Sequence, residues 1–427
     1  MSPTLGWSDA LWLARRRTPN DELRFWGSLL SAAVTAALLC TAGGLMALYG
    51  TEVASSIGVV ADDGTRGGVA FAVLLVALPA LHLTGQTWKL GSIERRARMR
   101  QLRDAGAGPQ ELGRVAVADT VVPVAIGAVV GLALLWTSIA LLNQRGSYMP
   151  AYRDLPDGTM VPSGTYVLVP DLPVLPDVVL ASWWPPLLAI TAVAGGAAAA
   201  ALRSVARLDH TPRRRDGALA RIAGWAARRT GRPELVLALR RLADEPGPTT
   251  RPAMLLGLAA TAAAASTWLS RQYRLTLGQQ WVEDSFFRQS FDLVRLATCV
   301  GITLCGIGLL VALADATVRR RRADAAAVAT GVPLPTLRRA LVLQSLLPAV
   351  PAVIAGLLIG GGLAVAFTGR RVGNRFAGSP TGELIPLPWA AWAAWALALL
   401  TVATLAALLA STALRHTTGN DQLRIPA

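Results

Sequence analysis

The residues able to do chemistry in this 427-residue chain are few and scattered. Lys89 is the only lysine, and Leu90 follows it. A phosphate-cradling loop needs a glycine-rich turn ending in Lys-Ser or Lys-Thr, so that the ammonium reaches the phosphates. Hydrolysis of ATP, if coupled to this chain, therefore belongs to another one. His82, His210 and His416 are far apart, and Cys40, Cys299 and Cys305 all lie in apolar blocks. No Cys/His spacing fits a structural zinc site. Three such thiols make no disulfide framework and read as small packing residues. The sequence thus predicts no catalytic residue, no cofactor and no metal ligand.

What remains abundant is arginine. The net charge is +15, carried by 41 basic residues. Such a balance can serve nucleic-acid binding, but here the arginines cluster between apolar blocks, the pattern of membrane topology. Some 53% of residues are hydrophobic and only 16% are charged. A block of about 20 apolar residues crosses a hydrocarbon core of about 30 Å, and inside lipid it must be helical to satisfy its own backbone. The expected fold is an all-α integral membrane protein with about eight transmembrane helices. Spans are expected near residues 25–49, 67–88, 115–142, 179–202, 252–270, 292–316, 340–368 and 387–413. Arg15 to Arg17 precede the first block, which is too long for a signal-peptide core and shows no small-residue cleavage site, so it reads as a retained span. With the N-terminus inside, thirty-one of the 41 basic residues fall on that side. This bias puts both termini and the loop 203–251 in the cytoplasm.

The outside segment 143–177 is proline-rich, with a turn signal at Asp157–Gly158 and the strand-like run TYVLVP, which predicts a small hairpin. Polar residues near span ends are His82, Gln86, Asp119, Asp292, Arg295 and Asp315. The spacings Asp292/Arg295 and Asp315/Arg319 suit pairing on one helix face. Trp183, Trp184, Trp389, Trp392 and Trp395 are placed for an interfacial belt. The pairs Gly127/Gly131 and Gly356/Gly360 have G-x-x-x-G spacing and would let helices of the two halves pack closely. Ordinary small-residue content of Ala/Gly-rich spans gives the same pattern. The segment GALARIAGWAARR is amphipathic and suits either the inner leaflet or a linker.

The chain repeats itself. A constant offset of 225 residues places Arg95 and Arg96 on Arg320 and Arg321, Gly106 on Gly331, Leu112 on Leu337, and Arg114 on Arg339. It also places Pro123 on Pro348, Gly131 on Gly356, and Arg15–Arg16 on Arg240–Arg241. Each unit reads as a basic entry helix, two spans, a basic surface helix and two more spans. The boundaries are 1–202 for the first unit, 203–239 for a basic linker and 240–427 for the second. An arginine at the bilayer centre costs about 2.5–3.5 kcal/mol, so Arg319 to Arg322 must emerge from the membrane. The stretch ADAAAVATG then forms a short helix ended by its glycine, and VPLP cannot continue it. Such a segment serves topology and anionic lipid, or it docks a soluble partner. Topology needs only charge, whereas both copies keep a helix and a glycine in register.

The first basic helix, RRARMRQLRDAGAGPQELGRVAVAD, resembles that of the FtsX-like permease family of ABC transporters, which includes MacB-, LolC- and BceB-type proteins. Asp119 takes the family's early acidic position in the following span. The second copy is more diverged, with Ala327 where the first has Leu102 and Gln344 where it has Asp119. The lead-in ELVLALRRLADEPGP is also similar to the family's. The resemblance implies a permease subunit of the bacterial cytoplasmic membrane, with no nucleotide site of its own. It implies cytoplasmic ABC ATPase subunits, two per chain, docking on Arg95, Arg96, Arg98, Leu102 and Gly106 and on Arg320, Arg321, Arg322 and Gly331. ATP would drive export or transmit force across the membrane. The large periplasmic domain of MacB- and LolC-type relatives is replaced here by the short loop 50–68. Two other classes stay open on the residues alone. One is a scaffold regulating an extracellular enzyme. The other is an ion-coupled secondary transporter, for which midplane charges are few.

Overall fold

The computed structural model describes residues 6–15, 19–50, 60, 63–88, 92–144, 147–154, 160–169, 182–206, 218–245, 247–277, 285–371, 382 and 384–417. A short helix α1 (Trp7–Arg15) leads into α2 (Pro19–Ala47), α3 (Asp63–Thr87), α4 (Ser92–Asp104) and α5 (Pro109–Asn143). The strands β1 (Ser147–Asp154) and β2 (Met160–Val169) follow, and then α6 (Trp184–Ala206). Next come α7 (Ala218–Arg229), α8 (Pro233–Asp244), α9 (Gly247–Leu277) and α10 (Ser285–Arg319). The chain closes with α11 (Arg321–Ala329), α12 (Leu334–Thr368) and α13 (Trp389–Thr417). The helices α2, α3, α5, α6, α9, α10, α12 and α13 are long and apolar enough to cross a membrane. All eight overlap the expected spans, and the fold is that of an all-α integral membrane protein. Its one described sheet is the hairpin, whose strands pair antiparallel from Ser147↔Val169 to Asp154↔Met160. The expected turn at Asp157–Gly158 lies outside the described residues.

Packing repeats as the sequence does. In the first unit α2 packs on α3, α5 and α6, and α5 packs on α6 and α1. In the second, α9 packs on α10, α12 and α13, and α12 packs on α13 and α8. The units meet where α3 lies along α10, through Val76, Ala80, Leu83 and Leu304. The entry helix of the second unit begins at Pro233, within the stretch read as linker. Helix α7 lies on α8, burying Ala223 and Ala227 against Leu239 and Leu242.

The glycine pairs have a different partner from the one expected. A Cβ at Gly127 or Gly131 would overlap the backbone carbonyl of Leu29 or Ala33 on α2. At Gly356 and Gly360 it would overlap the carbonyls of Gly257 and Thr261 on α9. The close packing is therefore within each unit, α2 on α5 and α9 on α12, and the expectation of a joint between the halves is corrected. Absence of a side chain lets two backbones touch, which matters in lipid because apolar burial does not drive helix association there.

The units also differ on the face that α2 turns to α3. On α2, Ser28, Ser31 and Thr35 are buried and face Thr84 and Thr87 of α3, with Ser31–Thr87 hydroxyls 3.4 Å apart and Thr35–Thr84 3.2 Å apart. The positions 225 residues on are Ala253, Leu256 and Ala260, buried in the apolar core of the second unit. Trp392 also belongs to that core. It is 6% exposed, donates its Nε1–H to the Ala264 carbonyl at 3.3 Å and fills the space left by Gly361. Its expected interfacial position is corrected, whereas Trp183 and Trp389 are exposed. Cys40 and Cys305 are buried as expected, but Cys299 is exposed on α10 and packs against no core.

Candidate functional site: two basic elbows

Each unit turns a corner between its second and third spans, and the corners are built alike. In the first, Met99 and Leu102 lie three residues apart on one face of α4. They pack with Leu112, Val115 and Ala116 at the start of α5, Ala10 of α1 and Ala201 of α6. Arg95 donates to the Trp88 carbonyl at the end of α3, which ties the front of α4 to the span before it. Arg98 is half-buried, and Arg100 and Arg103 are exposed. Arg96 belongs to α4, and its side chain lies outside the described residues.

The helix stops at Gly106, whose φ is +96°. The Gly106 N–H donates to the Arg103 carbonyl at 2.8 Å and the Ala107 N–H to the Leu102 carbonyl at 3.0 Å. These two bonds satisfy carbonyls that a helix end leaves open, and they require a left-handed residue. Pro109 then opens α5, and the Glu111 carboxylate accepts the Gly108 N–H at 2.9 Å.

The second corner repeats this geometry on a different sequence. Gly331 has φ +95°, its N–H donates to Val328 O at 3.0 Å, and the Val332 N–H donates to Ala327 O at 3.0 Å. Neither Gly106 nor Gly331 has any atom within 4 Å of where a Cβ would sit. Substituting alanine therefore tests backbone geometry alone. Gly106→Ala and Gly331→Ala are each expected to destabilise the elbow by about 1–2 kcal/mol, with asparagine milder than alanine. The thermal midpoints of the detergent-solubilised variants read this; equal midpoints for Ala and Gly would remove the left-handed requirement.

What anchors the elbows differs. Where the first has buried Met99, the second has buried Asp324, in an ion pair with Arg241 of the entry helix α8. Burial raises the Asp324 carboxyl above the ordinary carboxylate range, against the pull of Arg241 and Arg320. It likewise lowers Arg241, opposed by Asp324 and reinforced by Arg320. Around this pair, the Arg320 guanidinium donates to the Arg241 carbonyl at 3.2 Å and lies 3.6 Å from Glu245. Arg319 lies 3.3 Å from Asp315 and 3.9 Å from Glu245. Arg339 at the start of α12 reaches Glu234 of α8 at 3.5 Å. Arg320 thus faces inward as part of the joint, rather than outward as a docking cation. Of the residues expected to dock, Arg322 and Gly331 are exposed, Arg321 is half-exposed, and Leu102 is partly buried against the first elbow's core.

The sequence reading missed Arg241, Asp324 and Glu245 as a cluster. An acidic residue inside a basic helix was the one signal available, and nothing in the spacing named its partner 83 residues away. It also missed that Asp119 pairs with buried Arg24 at 2.5 Å, while the carbonyl of Asp119 accepts from the same guanidinium at 2.8 Å. The offset positions Thr249 and Gln344 are buried and uncharged. Asp292 with Arg295, at 3.6 Å, is an exposed pair on α10, and Gln86 bonds His82 at 3.0 Å. Among the described residues no group of His, Cys, Asp and Glu is placed to hold a metal.

Eight membrane-length helices in two like-packed units, each with a glycine-stopped surface helix, make a polytopic membrane protein. Residues 295–418 match the family model described as FtsX-like permease C-terminal, and they take in α10 from Arg295, the second elbow, α12 and α13. Over these residues the chain is similar to FtsX-like permeases. No curated protein and no solved structure matches the chain.

Proposed function

We propose that this chain is the membrane subunit of an ABC transporter in the bacterial cytoplasmic membrane, with each elbow receiving one cytoplasmic ATPase subunit. The observation that carries this reading is the pair of glycine-stopped elbows, alike in φ and in both hydrogen bonds although their side chains differ. Four candidate spans, α5, α6, α9 and α10, separate Gly106 from Gly331. An even number of crossings supports both elbows lying on one side, and the arginine bias supports that side, with both termini, being cytoplasmic. Each elbow is continuous with a helix of 35 residues. Closure of two ATPases would push on both rods together, so one chain and two ATPase subunits make the working complex. The chain's second partner is lipid.

Charge reversal on the exposed faces tests this. Arg100→Glu on α4 and Arg322→Glu on α11 are expected to lower co-purification of the ATPase, about half for either alone and below a tenth together. ATPase retained at full stoichiometry by the doubly reversed chain would overturn the docking assignment. A complex mass with two permease chains per ATPase pair would overturn the stoichiometry.

A further inference from the structure

Between the two units, at the level of the elbows, lies a cavity of about 570 Å³. It is within the range of small-molecule and cofactor sites. The first unit contributes the ends of α3 and α6 and the faces of α4 and α5, and the second contributes Arg251 of α9 and Arg319 of α10. Among the described residues four arginines line it, Arg95, Arg203, Arg251 and Arg319, and no carboxylate does. Arg319 is held from behind by Asp315 and Glu245, and Arg95 by the Trp88 carbonyl. Two lining groups keep a buried N–H with no acceptor among the described residues, Trp88 Nε1 and Arg319 Nε. An unpaired buried donor costs about 1–3 kcal/mol, more when charged. Convergent cations raise a positive potential in a low-dielectric cleft that attracts an anion. An acceptor-rich anion answers both conditions at once.

The rest of the wall decides what carries that anion. Leu81, Met99, Ala116 and Val205 also line the cavity, and a free inorganic ion would leave them unused. Arg203, Arg251 and Arg319 stand at the ends of spans, the depth at which lipid head groups lie. Phosphate, the charged group of lipid heads, matches the planar guanidinium fork bidentately.

We infer that this cavity binds the phosphate head group of an anionic membrane lipid, with arginines of both units and the Trp88 N–H on the phosphate oxygens and the acyl chains along the apolar wall. The inference does not depend on the ATPase reading. A lipid seated there would touch both units, so its occupancy would bias how they move against each other.

The experiment is native mass spectrometry of the full-length chain, released from detergent with added phosphatidylglycerol, phosphatidylcholine or inorganic phosphate. Phosphatidylglycerol is expected to stay bound under activation that strips phosphatidylcholine. The double variant Arg203→Gln/Arg251→Gln is expected to lower the bound fraction about tenfold, and Trp88→Phe to lower it less. Equal retention of both lipids, or unchanged retention by the double variant, would overturn the proposal. Inorganic phosphate displacing phosphatidylglycerol at equal concentration would assign the site to a free ion and overturn the lipid assignment. If the double variant does not fold, the comparison of head groups on the native chain and the single change Arg251→Gln, at an exposed side chain, decide it.

Discussion

Replacing Arg241 by methionine is expected to destabilise the second unit by about 3–5 kcal/mol, and replacing Asp324 by methionine as well to recover most of that loss. The single change leaves a carboxylate whose side chain is 5% exposed without its partner. The double change removes both charges from a site where burial already works against each. The Asp324 carboxyl is raised and the Arg241 guanidinium lowered, both first by desolvation. Asp324 Oδ2, moreover, accepts no hydrogen bond among the described residues. The first unit already carries the apolar solution, with buried Met99 at the position of Asp324.

The effect of pH has a definite sign. A carboxyl whose folded pKa is raised contributes stability below its unfolded pKa and loses it as pH rises through the folded value. Removing Arg241 takes away a group that pulls the carboxyl down, so the folded value rises further. The Arg241→Met variant should therefore regain stability on acidification from neutral pH toward the ordinary carboxylate range, and the double variant should show no such gain. Thermal unfolding in one detergent at several pH values measures both. A double variant no more stable than the single one would mean that the ion pair, rather than the shape of the site, holds the elbow.

Alanine at Gly356 or Gly360 is expected to cost about 1–3 kcal/mol, and the pair together to loosen α12 from α9. The obstruction is the backbone of Gly257 and Thr261, which cannot rotate aside as a side chain would. Gly257 approaches from the other direction, with its own Cβ position 2.8 Å from the Ala352 carbonyl oxygen. Gly362, two residues beyond Gly360 on the same helix, meets nothing within 4 Å. There alanine should be neutral or stabilising by up to about 1 kcal/mol, since a helix interior favours alanine over glycine. Opposite signs for Gly356→Ala and Gly362→Ala in thermal unfolding are the signature. A loss of equal size at both would trace the effect to helix propensity or lipid contact instead.

The spans and the elbows were legible because each rests on a local rule. A long apolar run in lipid has no other backbone solution, and a glycine after a basic helix followed by proline is a stop signal that Gly106 and Gly331 obey. The starts of α5 and α12 were read too late. The charged residues Glu111, Arg114, Arg338 and Arg339 look like a loop by hydropathy, yet they lie on the first turns of helices that continue into the membrane. Partners were less legible than positions. The spacing of Gly127 and Gly131 fits any close neighbour, and only the packed bundle assigns them to α2. Trp392 looks interfacial by type, but Gly361 opposite it makes a slot that buries it. Arg241 and Asp324 are ordinary surface types in a basic stretch, and their pairing depends on how α8 lies beside α11. The offset that aligned the units also concealed their difference, because it matched Arg16 to Arg241 and said nothing of Met99 facing Asp324.

The length of α5 and α12 has a consequence of its own. At 35 residues each extends about 52 Å, some 20 Å beyond what a hydrocarbon slab of about 30 Å needs. A tilt imposed at the protruding end would swing the opposite end the other way, with the lipid slab as fulcrum. Pro123 and Pro348 stand at matching heights inside the two shafts, each deleting one hydrogen bond of the helical ladder. They set the level at which such leverage turns into bending, so stiffening that level with Pro123→Ala and Pro348→Ala would change the gearing while leaving both ends as they are.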